Sequence, residues 1–322
     1  MKRLKHILTA TSLVWIAFPV AAADLPKTTH LDASCLVSVW SPSSRAIAED
    51  KYWRPEVNLN RLSFAKPAPS EDGNALAIQA ENGIPGEMVS LKRTNGFAKQ
   101  HAPAIGRIRA DIYFDSVDAF NIAAAKLPLG LWGGELGTKF CGAGLCPPDE
   151  QTGFSVRLTR SRLDLDDRSP PILQTFRIYS YHINRPGEVL ERPSKDGKGT
   201  RRTLKGSGIV MHQPLKAGVW YQVILDVGLN SFDGDQPVAD GWTDIYLLDE
   251  DGTILDWAGE TGLIYRKSPN WSILGPYLVD LWGGDPKKQQ NLPLSDLLTY
   301  FEDYELLFLD PEKSADDCRA PM

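Results

Sequence analysis

The stretch FRIYSYHI, residues Phe176 to Ile183, alternates in the manner of a β-strand and is rich in aromatic and β-branched residues. Successive side chains of a strand point to opposite faces, so Tyr179 and Tyr181 share one face. A half-buried aromatic pair is the ordinary interpretation of such a pattern. The alternative is that the two phenols have a functional role on one surface. The rest of the chain decides between these interpretations.

Stretches of the same kind recur along the chain. They are short and alternating, and Gly, Pro, Asn and Asp turns separate them: NALAIQAE, RIRADIYF, GFSVRLTR, VWYQVILDVGL, WTDIYLLDE and YFEDYELLFL. Helical periodicity is confined to short pieces near SSRAIAEDKYW and PLSDLLTYF. This pattern predicts an all-β, antiparallel β-sandwich of jelly-roll type with a few short helices. No linker is visible, so we expect one domain over residues 24–322.

The amino terminus, MKRLKHILTATSLVWIAFPVAAAD, combines a basic start, an apolar run and three small residues. These features predict a secretory signal peptide over residues 1–23, cleaved after Ala23. No later segment is long and apolar enough to span a bilayer. We therefore expect a secreted or periplasmic protein without a membrane span.

The charge balance of the chain argues against nucleic acid as a partner. The chain has 35 basic and 41 acidic residues. Removing the three basic residues of the signal peptide leaves 32 against 41, a formal charge of −9. An acidic protein has no electrostatic reason to hold nucleic acid or an anionic membrane. A polyanionic substrate would require local basic residues that overcome the overall field.

The four cysteines are Cys35, Cys141, Cys146 and Cys318. In an oxidising compartment an even number suggests two disulfides, and four cysteines allow three connectivities. A bond between Cys141 and Cys146 would close a small loop, and Cys35 with Cys318 would then tie the two ends of the mature chain together. A zinc site is the competing interpretation, but no CxxC pair or nearby histidine supports it.

Three segments carry the candidate chemistry: AAAKLPLGLWGG (Ala123 to Gly134), TGFSVRLTR (Thr152 to Arg160) and FRIYSYHI. In the second segment Ser155 and Arg157 share a strand face, as the two tyrosines do in the third. If these are neighbouring strands in matching register, a hydroxyl, a guanidinium and two phenols occupy one patch. Lys126 would add an ammonium from the first segment.

This set of side chains suits β-elimination on a uronic acid polymer. The reaction removes the proton at sugar C5, next to the carboxylate, and expels the glycosidic oxygen from C4. It needs a cation on the carboxylate, a base for the proton and an acid for the leaving oxygen. Arginine offers a carboxylate a planar fork of donors, and a Tyr or Lys near cations has a lowered pKa that suits a base.

Read together, the three segments resemble the signature of polysaccharide lyase family 14, the alginate and glucuronan lyases with a β-jelly-roll fold. That family carries Lys-Leu-Pro-Gly-Leu-x-Gly-Gly, then Gly-Phe-Ser-x-Arg, then a Tyr-x-Tyr strand. Its later motifs match GVWYQVILDVGLNSFDG, VDLWGGDPKKQQ and YFEDYELLF in order. The resemblance extends from Ile105 to Phe308, and the order of several motifs is more specific than any one of them.

The resemblance implies a polysaccharide lyase that acts on an acidic polysaccharide. We expect it to act as a monomer, without a cofactor or a metal. It implies catalytic roles for Lys126, Ser155, Arg157, Tyr179 and Tyr181. We assign Arg157 and Lys126 to the uronate carboxylate. Tyr181 or Tyr179 is assigned as base and acid, and Ser155 orients them.

One departure from the family pattern affects Lys126. The segment KLPLGLWGG is one residue longer between the lysine and the double glycine than the pattern. An inserted residue reverses the facing of one part of a strand unless a bulge absorbs it. The second hypothesis is therefore a noncatalytic carbohydrate-binding protein on the same scaffold.

Further candidates for substrate binding lie outside the three motifs. Trp132 and Trp282 each precede a Gly-Gly pair and could stack on sugar rings, although core packing explains them equally well. His212 would line the groove if its segment neighbours the tyrosine strand. The acidic stretches LDLDDR and DGDQPVADGWTD resemble glycosidase carboxylate pairs or calcium loops, but solvated turns are the favoured interpretation.

Overall fold

The computed structural model describes residues 29–49, 62–65, 75–80, 88–117, 124–138, 152–162, 173–184, 189–193, 200–204, 210–282 and 297–321. The predicted signal peptide and the cysteines at 141 and 146 lie outside these residues. The described chain is built mainly from antiparallel strands. The prediction of an all-β sandwich of jelly-roll type is confirmed.

The strands follow one another along the chain with few helices between them. In chain order they are β1 (Thr29–Leu31), β2 (Leu36–Trp40), β3 (Leu62–Ala65), β4 (Ala75–Ala80), β5 (Met88–Lys92), β6 (Ile105–Phe114), β7 (Ala124–Glu135), β8 (Gly153–Arg162), β9 (Gln174–Tyr181), β10 (Val189–Pro193), β11 (Thr200–Leu204), β12 (Trp220–Gly228), β13 (Phe232–Asp233), β14 (Gln236–Pro237), β15 (Gly241–Leu248), β16 (Ile254–Leu263), β17 (Trp271–Trp282), β18 (Leu297–Leu309) and β19 (Arg319–Pro321).

Two large sheets dominate the architecture. The eight-stranded sheet has the order β16-β15-β12-β6-β18-β4-β3, and β2 also pairs with β18. The five-stranded sheet has the order β5-β17-β7-β8-β9. Three further pairs, β1 with β19, β10 with β11 and β13 with β14, form two-stranded sheets. The strands that carry the predicted chemistry, β7, β8 and β9, are therefore direct neighbours.

The main core lies between the two large sheets, because each sheet turns its alternate apolar residues toward the other. From β7 and β8 these core residues are Leu127, Leu129, Leu131, Phe154, Val156 and Leu158. From β6 and β12 they are Ile108, Ala110, Ile112, Val223 and Leu225. Strand alternation then sends the residues between them to the opposite face of each sheet. We call the face turned away from the core the outer face.

Helices are short in the described chain. The predicted helix near SSRAIAEDKYW is present as α1 (Ser44–Ala48), capped by the Ser43 hydroxyl, which accepts from the Ala46 amide. The helix predicted near PLSDLLTYF is wrong for its described part, because Leu297 to Phe301 pair with β4 as part of β18. Sheet pairing overrides the local helical pattern there. A second helix, α2 (Gly96–His101), was not predicted. None of the helices in the described ranges has the length and apolarity to cross a bilayer.

The two ends of the described chain meet on the eight-stranded sheet. Cys35 and Cys318 form a disulfide across a sequence separation of 283 residues, in agreement with one of the three predicted connectivities. The bond joins the segment after β1 to the segment before β19, and these two strands pair with each other. In the ranges that the structure covers, no group of three or more His, Cys, Asp and Glu side chains is placed to hold a metal ion.

Candidate active site

The outer face of the five-stranded sheet brings the predicted catalytic residues into adjacent rows. In one row Arg157 of β8 lies opposite Gly130 of β7 and Tyr179 of β9. In the next row Ser155 lies between Trp132 and Tyr181. Cross-strand neighbours are about 5 Å apart, which places these side chains within contact of one another.

Arg157 lies at the centre of this surface and is 2 % exposed. Its guanidinium carbon is 5.0 Å from the centre of the Tyr181 ring, 5.3 Å from that of Tyr277 and 5.6 Å from that of Tyr179. Within the described part of the chain, the buried Nε and Nη2 atoms have no hydrogen-bond partner. A buried guanidinium with open donors is costly to the fold and is ready to bind an anion.

The two tyrosines of β9 interact directly. The Tyr181 hydroxyl donates to the Tyr179 hydroxyl at 3.1 Å. Their rings meet edge to face, with centroids 5.2 Å apart. The pair therefore presents two phenol oxygens in hydrogen-bond contact beside a guanidinium, an arrangement through which a proton can pass.

A long bulge in β7 determines the position of Lys126. Lys126 pairs with Thr159 and Gly130 pairs with Arg157, so β7 uses four residue steps where β8 uses two. The bulge contributes two extra residues, and an even number preserves the alternation of faces. Lys126 thus lies on the outer face, with its Nζ 5.9 Å from the centre of the Tyr179 ring. The extra residue does not turn Lys126 away from the site.

The electrostatic environment of Lys126 differs from that of a surface lysine. Burial lowers the pKa of its ammonium, and the positive charge of Arg157 lowers the pKa further, to about 7. The side chain is therefore charged in acid and neutral in base, with the change near neutral pH. An anion bound between Lys126 and Arg157 would raise this pKa, because it favours the charged form.

Gly130 makes room for the Arg157 side chain. A Cβ atom at this position would come within 2.6 Å of the Val156 carbonyl oxygen and 3.0 Å of both Arg157 Cγ and the Tyr277 carbonyl oxygen. No larger residue fits there without moving the backbone. The glycine in the KLPLGLWGG segment is thus explained by the close approach of two neighbouring strands around the arginine.

Tyr277 and Lys92 belong to the site but were missed in the sequence. They face each other across β17 and β5. The Tyr277 carbonyl oxygen also lies close to Gly130, the β7 residue that pairs with Arg157. Tyr277 forms one wall around the guanidinium, and the Lys92 ammonium lies 4.2 Å from the centre of the Trp132 ring. The alternation of YLVDL was the available signal for Tyr277. Nothing local marks Lys92, because its strand is placed by long-range pairing.

We name six of these residues, Lys126, Ser155, Arg157, Tyr179, Tyr181 and Tyr277, the Arg157 cluster. On the described strands of this sheet, no acidic side chain shares the outer face with them. Positive charge is therefore concentrated on one face of a protein that is acidic overall. Such a surface attracts and holds anionic ligands.

The three residues predicted to bind substrate have different positions. Trp132 lies on the outer face, but it is buried, and its Nε1 donates to the Arg93 carbonyl at 3.0 Å. Trp282 is the last residue of β17, and its side chain lies outside the described part of the structure. His212 is exposed, and its backbone amide donates to Asp256 at 2.6 Å. Its segment runs beside the tyrosine strand, where the Met211 amide donates to the Phe176 carbonyl at 3.0 Å.

Comparison with solved structures identifies the architecture. An alginate lyase of family PL-14 from Aplysia kurodai superposes with a TM-score of 0.61 at 19% identity, covering 84% of this chain and 99% of that chain. An alginate lyase from Chlorella virus gives 0.56 at 14%, covering 84% and 100%. An endo-β-1,4-glucuronan lyase from Trichoderma reesei gives 0.51 at 10%, covering 86% and 100%.

This chain has the fold of the alginate and glucuronan lyases. The resemblance to polysaccharide lyase family 14 is thereby confirmed at the level of the fold. No protein-family model and no curated protein matches the sequence. At identities of 10% to 19%, these similarities show the fold alone, so activity has to be argued from the side chains.

Proposed function

We propose that this protein is a secreted or periplasmic polysaccharide lyase that cleaves a uronic acid-containing polymer, of the alginate or glucuronan type, by β-elimination. One observation carries the proposal. Arg157 is buried among three tyrosine rings with two open donors, and no carboxylate of the described chain satisfies them. A carboxylate brought by the substrate would supply the missing acceptors.

The cations of the cluster act on the sugar carboxylate. Arg157 donates to its two oxygens in the planar geometry that guanidinium groups prefer. Lys126, on the same outer face, adds a second positive charge. Removal of the C5 proton spreads negative charge onto these oxygens, and fixed cations in a dry site stabilise that intermediate more than they stabilise the substrate.

The tyrosine pair moves the proton. One phenol oxygen, as phenolate, takes the C5 proton, and the electron pair of that C–H bond forms the C4–C5 double bond. The bond between C4 and the glycosidic oxygen breaks, and a phenol donates a proton to the leaving oxygen. Tyr181 and Tyr179 lie 3.1 Å apart at their oxygens, so the proton taken can be returned through the pair. Ser155 stands opposite Tyr181 and orients it.

The placement of Lys126 bears on the carbohydrate-binding alternative. That hypothesis rested on a displaced lysine, whereas the bulge in β7 retains Lys126 beside Tyr179. The solved structures with this fold add support, since they are alginate and glucuronan lyases. A complete set of cations and proton carriers favours turnover over binding alone.

The test is the near-ultraviolet absorbance of the unsaturated uronate formed by cleavage, followed with alginate, glucuronan, pectate and hyaluronan. We expect a rise with at least one contiguous polyuronate. Tyr181→Phe should lower the rate by about 10² to 10⁴, the usual effect of losing a general acid or base. The matched control Tyr113→Phe, on the outer face of the other sheet, should keep the wild-type rate. Flat traces with every polymer, or an active Tyr181→Phe, would contradict the proposal.

A further inference from the structure

A further arginine, Arg177, lies on the outer face beside the Arg157 cluster. It precedes Tyr179 by two residues on β9, so both side chains leave the strand on the same side. Arg177 stands opposite Thr159, which in turn stands opposite Lys126. The Thr159 hydroxyl donates to the Arg177 carbonyl at 3.0 Å, which fixes this part of the strand.

The Arg177 guanidinium has donors to offer. Its Nε is buried and, in the part of the chain that the structure covers, has no hydrogen-bond partner. The described ion pairs do not include it either. A half-buried arginine without a carboxylate is uncommon, because desolvation of the charge is not compensated.

The position of Arg177 relative to Arg157 is diagonal. Arg157 pairs with Tyr179, and Arg177 pairs with Thr159, so the two arginines are offset by one strand and two residues. Diagonal neighbours of this kind are about 7–8 Å apart, within reach of two long side chains. That separation is on the scale of neighbouring pyranose rings in a polysaccharide. Two like charges held so close repel each other unless an anion lies between or above them.

We infer that Arg177 binds the carboxylate of a second uronate, next to the uronate held by Arg157. The site then recognises carboxylates on consecutive sugars and selects contiguous polyuronates over polymers in which uronates alternate with neutral sugars. This inference rests on the proposed function in that both place a polyuronate on the same face. It adds a binding residue and a selectivity that the proposed reaction does not require.

The experiment measures binding, so that it does not depend on turnover. The dissociation constants of a contiguous uronate hexasaccharide and of a hyaluronan hexasaccharide are measured by calorimetry on the Tyr181→Phe protein, with and without Arg177→Gln. Loss of one charge-assisted hydrogen bond should weaken the contiguous ligand about tenfold. The alternating ligand should change by less than about twofold, because no second carboxylate reaches Arg177.

Three controls separate binding from folding. Arg177→Lys retains the charge and should recover most of the affinity. Arg45→Gln removes an arginine from the exposed surface of α1 and should change neither ligand. Urea unfolding midpoints should agree among the variants, so that a weaker ligand is not the result of a weaker fold.

The outcomes distinguish the two proposals. Unchanged binding of the contiguous ligand in Arg177→Gln, or an equal loss with both ligands, would overturn the role of Arg177. No binding of either ligand to the parent protein would overturn both proposals. A selective tenfold loss of affinity in Arg177→Gln would support Arg177 as a binding residue. If the wild-type protein nevertheless forms no unsaturated uronate from any polymer, the lyase proposal alone would be overturned.

Discussion

Two buried arginines, Arg107 and Arg157, occupy comparable places in the two sheets and have opposite surroundings. Each lies on the outer face of its sheet and is almost fully buried, at 5% and 2% exposure. Arg107 Nε donates to Asp226 Oδ1 at 2.7 Å and its Nη2 to Oδ2 at 2.8 Å. Its Nη2 also donates to the Leu31 carbonyl at 2.9 Å, beneath the paired chain ends.

The two arginines differ in how the fold compensates their buried charge. Burial alone would lower the pKa of the Arg107 guanidinium, but the hydrogen bonds and negative charge of Asp226 outweigh it and raise the pKa. The fold supplies Arg107 with its counterion. Arg157 has aromatic rings in that place, and its Nε and Nη2 have no hydrogen-bond partner among the residues that the structure describes. The same substitution in the two positions should therefore have different consequences.

The largest effect is expected from Arg107→Met. The substitution leaves the buried Asp226 carboxylate without its two guanidinium hydrogen bonds, and breaking a buried ion pair in this way costs about 3–5 kcal/mol. We expect the free energy of unfolding, measured in urea, to fall by that amount, while the folded fraction retains its rate of cleavage.

The double variant Arg107→Met with Asp226→Leu is the control for this expectation. Replacing both partners of a buried ion pair with apolar residues is often neutral, so it should recover much of the lost stability. An unchanged free energy of unfolding in the Arg107→Met single variant would show that the ion pair does not stabilise the sheet. Arg107 would then have no structural role to contrast with Arg157.

The matched substitution Arg157→Met should affect activity instead. Loss of the donors that stabilise the intermediate should lower kcat/KM by about 10² to 10³. Because Arg157 has no carboxylate partner in the described chain, the free energy of unfolding should stay the same or rise by about 1 kcal/mol. Cleavage kinetics and urea unfolding on the same preparation provide both numbers. A strongly destabilised Arg157→Met would place this arginine in the structural class.

The alternation of β-strands explains why part of the site was predictable. Ser155 with Arg157 and Tyr179 with Tyr181 were assigned to shared faces by the two-residue period alone, and the pairing of β8 with β9 puts all four on one face. Neighbouring strands in chain order usually pair, so local sequence carries this information.

Long-range pairing explains what the sequence did not reveal. Tyr277 approaches Arg157 because β17 inserts between β5 and β7, far from either in the chain. Register is also hidden: the family pattern showed one extra residue after Lys126, but the pairing of β7 with β8 absorbs two. Long-range pairing also explains the error at Leu297 to Phe301, where a helix was predicted but the segment pairs with β4 as part of β18. None of these follows from propensity, which is a weak guide when tertiary contacts compete.

The smallest expected effect concerns Lys126, because its ammonium becomes neutral as the pH rises through the neutral range. Because burial and Arg157 lower the pKa of Lys126 to about 7, the free protein loses this cation as pH rises through that value. If the ammonium assists the carboxylate, kcat/KM should fall about tenfold per pH unit above about pH 7. Lys126→Arg should abolish this decline, since a guanidinium stays charged.

The measurement is kcat/KM from about pH 5 to about pH 9 for the wild type and for Lys126→Arg. The control is Lys99→Arg, which changes an exposed lysine on α2 and should keep the wild-type pH profile. In the complex the substrate carboxylate favours the charged lysine, so the decline in kcat should begin at higher pH than the decline in kcat/KM. A decline that survives in Lys126→Arg would assign it to another group. Activity that rises steadily through pH 9 would instead identify neutral Lys126 as a base, and the tyrosines would then supply only the acid.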